Sequence, residues 1–370
     1  MRAKIMFAAM LALVLILGPN LAPAWEKVEN LPLRDDGDKR SLLLMIDRQV
    51  NYLSKIPNRT FRMGGIRVSR ERLLATAKAL RLVVLKHHGR PEFGLRIREQ
   101  FLIYRTNNPA KQGKALFTGY YDPILPVSDK PSERFRFPIY RPPDDLRHAG
   151  KDNFFKIANG KKTPYFTRAQ IDGQNIFAGK GYEIAWTEDY VSLYYLMVQG
   201  SGKVKYAGGR TSTIHFAASN GHPYKSAARA CMDDGKCPGG YDRNLAWFRA
   251  HPAETKKYFL LNPRYIFFRI DEREVIGVQN IPLTPKRSIA TDKSIYPPGA
   301  IALAHIPMPI PAADGTIKHR PVSFLVADCD TGSAIKGPGR ADFYYGTGES
   351  AGKQAGSTHG WGDLYYLLVK

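Results

Sequence analysis

The sequence predicts a mainly β protein with a helical region near its N-terminal end. Two segments, residues 39–56 and 69–87, place apolar residues at helical spacing. From about Leu116 onward, short runs of β-branched and aromatic residues alternate with clusters of glycine, proline, asparagine and aspartate. Many short strands at such intervals are typical of a β-barrel or β-sandwich and not of a βαβ sheet.

The first 24 residues have the pattern of an export signal. Arg2 and Lys4 precede an apolar run at residues 5–17, and a small-x-small cleavage site follows at residues 22–24. The run is short for a membrane span, which needs about 20 apolar residues. We therefore expect export with cleavage before Trp25, and an uncleaved anchor is the alternative. No cysteine lies directly after the apolar run, so lipid attachment at this point is not expected.

The two early segments, "KRSLLLMIDRQVNYLSKI" and "SRERLLATAKALRLVVLKH", are predicted as helices, the second starting at Ser69. Residues 142–172 are polar and rich in proline and glycine, which favours an extended loop. "HPAETKKYFLLNPRYIFFR" is predicted as a short helix that leads into a strand. The remaining predicted strands lie in "LFTGYYDPILPV", "RFPIYRP", "YVSLYYLMVQGSGKVKYAGG", "TIHFAAS", "EVIGVQNI", "AIALAHI", "VSFLVAD", "DFYYG" and "DLYYLLV".

Charge and cysteine content limit the class of protein. The 370 residues include 55 Lys and Arg against 33 Asp and Glu, a formal charge of +22, which favours attraction to polyanions. The basic residues are scattered, so a nucleic-acid-binding arm is not indicated. Cys231 and Cys237 could close a small disulfide loop, leaving Cys329, or all three could be free thiols. The cysteines lack the paired CxxC spacing of zinc sites, so a zinc site is not expected.

The stretch "DCDTGSAIKGPGRADFYYG", residues 328–346, holds three aspartates around a glycine-rich basic loop. Paired carboxylates would suit glycosidic bond cleavage or a hard metal ion, although the ligand spacing of calcium loops is missing. The loop matches neither phosphate-binding glycine motif. Aspartate and glycine also populate ordinary turns, so residue types alone leave a site and a turn equally open. The sequence contains no GxSxG motif, so a serine hydrolase is not expected.

Six segments together resemble the membrane-bound lytic murein transglycosylase A family. They follow one another over about 250 residues, from about residue 115 to the C-terminus, and the last resembles the family's 3D domain, which is named for three aspartates. Six collinear motifs are far more specific than one. The segments are "FTGYYDP", "MVQGSG", "ASNGHPY", "NPRYIFFR", "PLTPKRSIATD" and "DTGSAIKGPGRADFYYGTG".

The resemblance implies a double-psi β-barrel domain with N-terminal helices, a smaller inserted β domain, and a groove between them for a glycan strand. After the signal at 1–24, the barrel would comprise residues 25–122 and 278–370, and the inserted domain residues 123–277. The family cleaves the β-1,4 bond between N-acetylmuramic acid and N-acetylglucosamine without water and leaves a 1,6-anhydromuramic acid end.

The resemblance also implies the setting of the protein. Its partner would be the glycan strands of peptidoglycan, and no cofactor, metal or nucleic acid is expected. We expect a monomer in the periplasm with a peripheral association with the outer membrane. The missing lipid-attachment cysteine puts the membrane anchoring of better-known members in doubt for this chain.

The family's three aspartates match Asp292, Asp330 and Asp342, and its catalytic acid maps to Asp342. Such an acid needs a raised pKa, and we expect like-charge repulsion from Asp330 or Asp292, together with burial, to raise it. Ser333 replaces a glycine of the family, which is tolerable where φ is negative. The residues expected to bind glycan are Thr118, Gly119, Tyr120, Gln199, Ser201 and Lys336.

Three alternatives remain at this stage. One is a hydrolytic glycosidase that uses Asp330 and Asp342 as a pair with water as the acceptor. The second is a non-catalytic wall-binding or wall-loosening protein built on the same barrel. The third, a nucleic-acid-binding protein, is favoured by charge alone and disfavoured by the export signal.

Overall fold

The structure is a computed structural model that describes residues 25–106, 108–150, 153–311 and 317–370. The predicted export signal therefore lies outside the described residues. None of the helices within these ranges has the length and apolar character needed to cross a membrane.

The described residues form eight α-helices, with two short 3₁₀ turns at Pro109–Lys111 and Val278–Asn280 and one π-turn at Ala169–Gly173. The helices are α1 (Lys39–Lys55), α2 (Arg70–His87), α3 (Phe93–Gln100), α4 (Tyr190–Gln199), α5 (Ala227–Asp233), α6 (Tyr241–Ala250), α7 (Pro252–Leu260) and α8 (Glu349–Ser357).

Strands account for most of the remaining regular structure. They are β1 (Glu26–Lys27), β2 (Thr60–Met63), β3 (Ile66–Ser69), β4 (Phe101–Arg105), β5 (Ala115–Asp122), β6 (Ile124–Ser128), β7 (Phe137–Tyr140), β8 (Arg147–His148), β9 (Phe154–Ala158), β10 (Lys161–Pro164), β11 (Glu183–Thr187), β12 (Ser201–Tyr206), β13 (Thr211–Ser219), β14 (Ile266–Asp271), β15 (Ser288–Ala290), β16 (Ala300–Pro311), β17 (Ile317–Asp330), β18 (Arg340–Thr347) and β19 (His359–Val369).

Six of these strands close a barrel. Their order is β19-β16-β17-β15-β18-β5, and β5 pairs back to β19, so the ring has no free edge. Two of the ladders, β15 with β17 and β18 with β5, are parallel. β4 and β1 extend the sheet outward from β19. The closed barrel confirms the predicted mainly β fold class.

The N-terminal helices pack against the barrel where the sequence predicts them. Asp38 accepts a hydrogen bond from the Ser41 amide at the start of α1, and Ser69 accepts one from the Arg72 amide at the start of α2. Leu42, Ile46, Leu80 and Val84 lie on the buried faces of the two helices, in one hydrophobic core with the barrel.

A second sheet, ordered β14-β13-β12-β6-β11-β7, has a hydrophobic core of its own. All its strands lie between Ile124 and Asp271, inside the segment for which an inserted domain is predicted. One face of its β12–β13–β14 part packs into this core through Val204, Ile214 and Phe268. Because side chains alternate along a strand, the residues between them lie on the opposite face.

Four predictions about local structure need correction. The segment Tyr190–Gln199 is the helix α4 and not a strand, and α5 and α6 add further helices to a region predicted as mainly β, whereas α7 followed by β14 confirms the short helix and strand predicted there. Residues 142–172 contain the three-stranded sheet β10-β9-β8 and the π-turn, and not one extended loop. "EVIGVQNI" forms a 3₁₀ turn and an isolated bridge from Ile276 to Pro282.

The α4 error has a physical cause. Asp189 caps its first turn by accepting a hydrogen bond from the Val191 amide, and Gly200 ends it at φ +86°. Between these caps the helix is apolar on most sides, because it packs on the core of the second sheet and on the neighbouring cluster of α5, α6 and α7. An apolar run without a polar face has no clear period to distinguish a helix from a strand.

Two of the three cysteines form the disulfide that the sequence analysis gives as one of two alternatives. Cys231 and Cys237 are joined by a disulfide that closes the turn after α5. Cys329 is buried on β17 as a free thiol, and burial raises its pKa to about 12. A buried thiol with a raised pKa is not a reactive nucleophile.

Candidate active site

The barrel strands bring two of the three predicted aspartates, Asp330 and Asp342, into one row. Ala290 on β15 is the register partner of Asp330 on β17 and of Asp342 on β18. Asp342 is in turn the register partner of Thr118 on β5. Since neighbouring strands lie about 4.8 Å apart, the Cα atoms of Asp330 and Asp342 are separated by about 10 Å.

Asp342 is half-buried and is held by one neutral donor. The Thr118 hydroxyl donates to Asp342 Oδ1 over 2.7 Å, and Arg340 Nη2 donates to the same hydroxyl oxygen over 3.2 Å. Burial raises the pKa of Asp342 to about 6, against the lowering effects of the Thr118 hydrogen bond and the Arg340 charge. Burial is therefore the cause, and the expected like-charge repulsion from Asp330 or Asp292 does not contribute.

The pKa of the Asp330 carboxyl is also raised, but this carboxyl accepts two hydrogen bonds where Asp342 accepts one. The Tyr120 hydroxyl donates to its Oδ2 over 2.9 Å, and the Thr331 amide donates to its Oδ1 over 2.8 Å. Burial raises its pKa to about 7 despite these hydrogen bonds and the charge of Lys293. Asp330 thus fixes the Tyr120 ring at the wall of the site.

Asp292 has a different environment. Its Oδ2 accepts a hydrogen bond from the Gly337 amide over 2.9 Å, and its Oδ1 accepts from the Ser294 amide and hydroxyl over 3.0 and 2.7 Å. Burial opposes ionisation, but these donors and the Lys336 charge lower its pKa overall. Asp292 is therefore an ionised anchor for the loop that joins Asp330 to Asp342.

Asp328, the fourth aspartate of this region, is structural. Its fully buried carboxylate forms an ion pair with Lys293 and accepts hydrogen bonds from the Thr291 and Tyr366 hydroxyls over 2.7 and 2.6 Å. Asp328 also lines neither of the two cavities described below, so its role is to hold these partners together.

Two connected cavities lie between the barrel and the second sheet, with volumes of about 610 and 230 Å³. Asp330 and Gln199 line both. Of the other predicted residues, Gly119, Tyr120 and Asp342 line the smaller cavity, and Ser201 and Lys336 the larger. The structure therefore brings the predicted site residues together at these cavities, apart from two that line neither. Thr118 reaches the site through its hydrogen bond to Asp342, and Asp292 bonds the Gly337 amide of the loop between Asp330 and Asp342.

Several of these residues are also held by contacts of their own. A Cβ on Gly119 would lie 2.6 Å from the Ala355 Cα, so this glycine permits α8 to pack on β5. Gln199 Oε1 accepts a hydrogen bond from the Tyr121 amide over 3.2 Å. Ser333, at the position where the family has glycine, does not adopt a positive φ, as the sequence analysis requires.

Sequence reasoning missed a buried acid at the junction of the two sheets. Asp122 accepts hydrogen bonds from the Ser201 hydroxyl over 2.7 Å and from the Tyr344 hydroxyl, and burial raises its pKa to about 6. Alternation along β5 places it on the same face as Thr118 and Tyr120, which is a signal that could have found it. It links β12 of the second sheet to β18 of the barrel.

Arg340, Arg264 and Tyr224 also line the smaller cavity, although none of them is among the predicted site residues. Arg340 precedes Asp342 by two residues, on the same face of β18. Among the described residues, no group of three or more His, Cys, Asp or Glu side chains is arranged to hold a metal ion.

Sequence comparison finds two domain families in the chain. Residues 116–269 match the MltA specific insert domain, and residues 287–368 match the 3D domain. Together the two matches span more than half of the chain.

Among curated proteins, the chain is 32% identical over 263 residues to membrane-bound lytic murein transglycosylase A of Vibrio cholerae, which covers 70% of this chain and 66% of the relative. It is 29% identical over 265 residues to the protein of the same name from Escherichia coli K12, covering 69% and 66%.

Solved structures share the fold. A membrane-bound lytic murein transglycosylase from Agrobacterium tumefaciens superposes with a TM-score of 0.78 at 27% identity, over 94% of this chain and 98% of that one. The Escherichia coli MltA structure with bound chitohexaose superposes with a TM-score of 0.75 at 22% identity, over 94% of each chain.

Proposed function

The chain belongs to the membrane-bound lytic murein transglycosylase A family of peptidoglycan-cleaving enzymes, and on this premise we propose that it is a non-hydrolytic exotransglycosylase. It cleaves the β-1,4 bond between N-acetylmuramic acid and N-acetylglucosamine and leaves a 1,6-anhydro end. The observation that carries this proposal is the half-buried Asp342 carboxyl at the cavity wall, whose pKa is raised to about 6. A carboxyl of this kind can donate a proton and take one back near neutral pH.

One residue suffices for both proton transfers. Protonated Asp342 donates to the glycosidic oxygen as the bond from C1 to that oxygen breaks. The C6 hydroxyl of the same muramic acid then attacks C1 and passes its proton to the ionised Asp342, which regenerates the acid. The Thr118 hydroxyl stabilises the carboxylate between the two steps, and the Arg340 charge favours the same ionised form.

The remaining aspartates position the site. Asp330 holds the Tyr120 hydroxyl, so that the Tyr120 ring is fixed at the cavity wall. Asp292 anchors the loop between Asp330 and Asp342 through the Gly337 amide. Both are expected to act through the geometry of the site and not by touching the scissile bond.

The connected cavities suit an extended polymer. Gln199, Ser201 and Lys336 present polar groups along them, and Tyr120 contributes an aromatic wall. The Escherichia coli MltA structure holds chitohexaose, a β-1,4-linked glycan, which supports a glycan strand as the ligand of this fold. The relatives are named membrane-bound, which agrees with a location in the cell envelope, and the periplasmic monomer with a peripheral outer-membrane association stays a prediction.

A hydrolytic glycosidase is the second candidate, because Asp330 and Asp342 both have raised pKa values. Their Cα separation of about 10 Å is also compatible with the carboxyl spacing of roughly 6.5–9.5 Å in inverting enzymes. Digestion of purified sacculi, followed by borohydride reduction and mass spectrometry, separates the two. Anhydro ends are lighter by one water and resist reduction, whereas reducible ends as the main product would favour hydrolysis.

The pH dependence of kcat/KM follows from the pKa of Asp342. The reactive form of a general acid is the protonated one, so kcat/KM should fall as pH rises through about 6, by about tenfold per pH unit above it. Initial rates on soluble glycan strands between pH 4.5 and 8 test this, with circular dichroism as the control for folding. A flat profile from pH 5 to 8 would argue against Asp342 as the acid.

In Thr118→Val, the decline of kcat/KM with rising pH should shift to higher pH. The substitution keeps the shape of the side chain but removes the hydroxyl that lowers the pKa of Asp342. Thr118→Ser keeps the hydroxyl and is the matched control, for which the decline should stay in place. Identical profiles for the valine and serine variants would show that the hydrogen bond does not tune the acid.

A further inference from the structure

Three neighbouring strands of the second sheet place polar side chains side by side over the larger cavity. Ser201 on β12 pairs with His215 on β13, and His215 pairs with Arg269 on β14. All three residues line the cavity of about 610 Å³ that also contains Asp330. The row lies on the face opposite the sheet's hydrophobic core, so it faces the proposed glycan path.

The guanidinium of Arg269 has unused donors. Its Nη1 donates to the Phe216 carbonyl over 3.0 Å, while its Nε has no hydrogen-bond partner among the described residues and lies 3.6 Å from Asp271 Oδ2. The Asp271 carboxylate already accepts hydrogen bonds from two other residues. Arg273 donates from Nε over 3.0 Å, and His215 Nε2 lies 3.0 Å from Oδ1. The Arg269 side chain is 39% exposed, so its charge is available at the cavity.

His215 is the second sign that a ligand belongs here. The ring is only 2% exposed, yet its Nδ1 has no hydrogen-bond partner in the part of the chain that the structure describes. Burial lowers the pKa of His215, which favours the neutral ring. With Nε2–H donated to Asp271, Nδ1 carries a lone pair and can accept a hydrogen bond, for instance from an amide.

The charged lining of this cavity is mainly positive. Three bases, Arg264, Arg269 and Lys336, line it, and Asp330, whose pKa is raised to about 7, is the acid among its lining residues. A negatively charged group of the ligand would be attracted to this end of the groove.

A third cavity beyond Tyr121 differs in its charge. Its volume is about 440 Å³, and two acids there balance two bases, namely Asp242, Glu349, Arg249 and Lys353. The excess of positive charge is therefore a property of the larger cavity that the third cavity does not share.

We propose that the larger cavity binds a carboxylate of the stem peptide that muramic acid carries, with Arg269 as its principal ligand. This rests on the proposed function, because it takes a peptidoglycan strand as the occupant of the groove. The stem is attached through the lactyl group at O3 and brings both amide N–H groups and free carboxylates. A guanidinium can bind a carboxylate through two parallel hydrogen bonds, and the neutral His215 can accept from an amide beside it.

The consequence is a substrate preference. Strands that carry stem peptides should be cleaved more efficiently than the same strands after the stems have been removed. The preference should come from Arg269 and not only from the net charge of +22.

The test compares soluble glycan strands with and without stems, the latter prepared by amidase digestion. We expect Arg269→Gln to lower kcat/KM on stem-bearing strands by about three- to tenfold and to leave stem-free strands nearly unaffected. Arg229→Gln is the matched control: it removes the same charge from α5, where the Arg229 side chain is 73% exposed and lines neither the active-site cavities nor the third one.

Each outcome has a clear meaning. Equal efficiency of the unmodified protein on both substrates would overturn the stem-binding proposal and leave the transglycosylase proposal standing. An equal loss in Arg229→Gln would assign the preference to overall charge and would also overturn it. If neither substrate gives anhydro ends, the proposed function fails, and equilibrium binding of the unmodified protein and of Arg269→Gln to the two kinds of soluble strand, measured by calorimetry, still decides whether Arg269 recognises the stem.

Discussion

Asp342→Asn is expected to lower the rate of anhydro-end formation from sacculi by about 10³- to 10⁴-fold. Positioned proton transfer contributes about 10²- to 10⁴-fold, and Asp342 serves as both acid and base, so the loss should lie at the upper end. Asparagine has nearly the same shape and retains an oxygen that can accept the Thr118 hydroxyl. The variant should therefore bind sacculi as the unmodified protein does.

Stability distinguishes a catalytic loss from a folding defect. The folded state raises the pKa of Asp342, so ionisation of this carboxyl above pH 4 opposes folding, and the neutral asparagine removes that opposition. The free energy of unfolding at pH 7 should be unchanged or higher in Asp342→Asn. A rate of anhydro-end formation within tenfold of the unmodified protein would remove Asp342 from the catalytic role.

Asp328→Ala is expected to have the opposite effect, with a large loss of stability. The carboxylate is fully buried, and its removal leaves the Lys293 ammonium and the Thr291 and Tyr366 hydroxyls without their acceptor. Breaking a buried ion pair from one side costs about 3 to 5 kcal/mol. The free energy of unfolding from urea denaturation, followed by far-UV circular dichroism, measures the effect.

The control is Asp242→Ala, which removes an exposed carboxylate from α6 and should change the free energy of unfolding by no more than about 0.5 kcal/mol. If Asp328→Ala unfolds at the same urea concentration as the unmodified protein but loses activity, then Asp328 has a catalytic role and the division between the aspartates proposed above is wrong.

Local signals predicted the fold well where caps and spacing agree. Asp38 and Ser69 cap α1 and α2, and each helix has a buried face that recurs at helical spacing. The failures share a different physical cause. α4 is apolar on most sides, and β9 and β10 are short, half-exposed strands in a polar segment, so neither carries a distinguishing period.

The arrangement of the site depended on information that periodicity does not contain. Asp330 and Asp342 are separated in space by β15, a strand that precedes both in the chain and pairs with both. Only the pairing of β17, β15 and β18 in the folded barrel shows that the two aspartates lie in one row. The cause of the raised Asp342 pKa also differed from expectation, because burial accounts for it and the charge of a neighbouring aspartate does not.

Family resemblance indicated which aspartates to examine, and the contacts show how their environments differ. The adjacent pair Asp328 and Asp330 stands out in the sequence, yet Asp328 is neutralised inside the barrel by Lys293. Asp342, beyond the glycine turn, is the carboxyl that combines a cavity position, a raised pKa and a single hydroxyl donor.

The most direct test of the central claim is digestion of sacculi in water enriched in ¹⁸O, with mass spectrometry of the released muropeptides. Because the C6 hydroxyl of muramic acid is the proposed nucleophile, the products should be anhydro muropeptides without label at the new end, and Asp342→Asn should release almost none. Products that are heavier by one labelled water would show that water attacks C1, and the single-acid, non-hydrolytic account would be wrong.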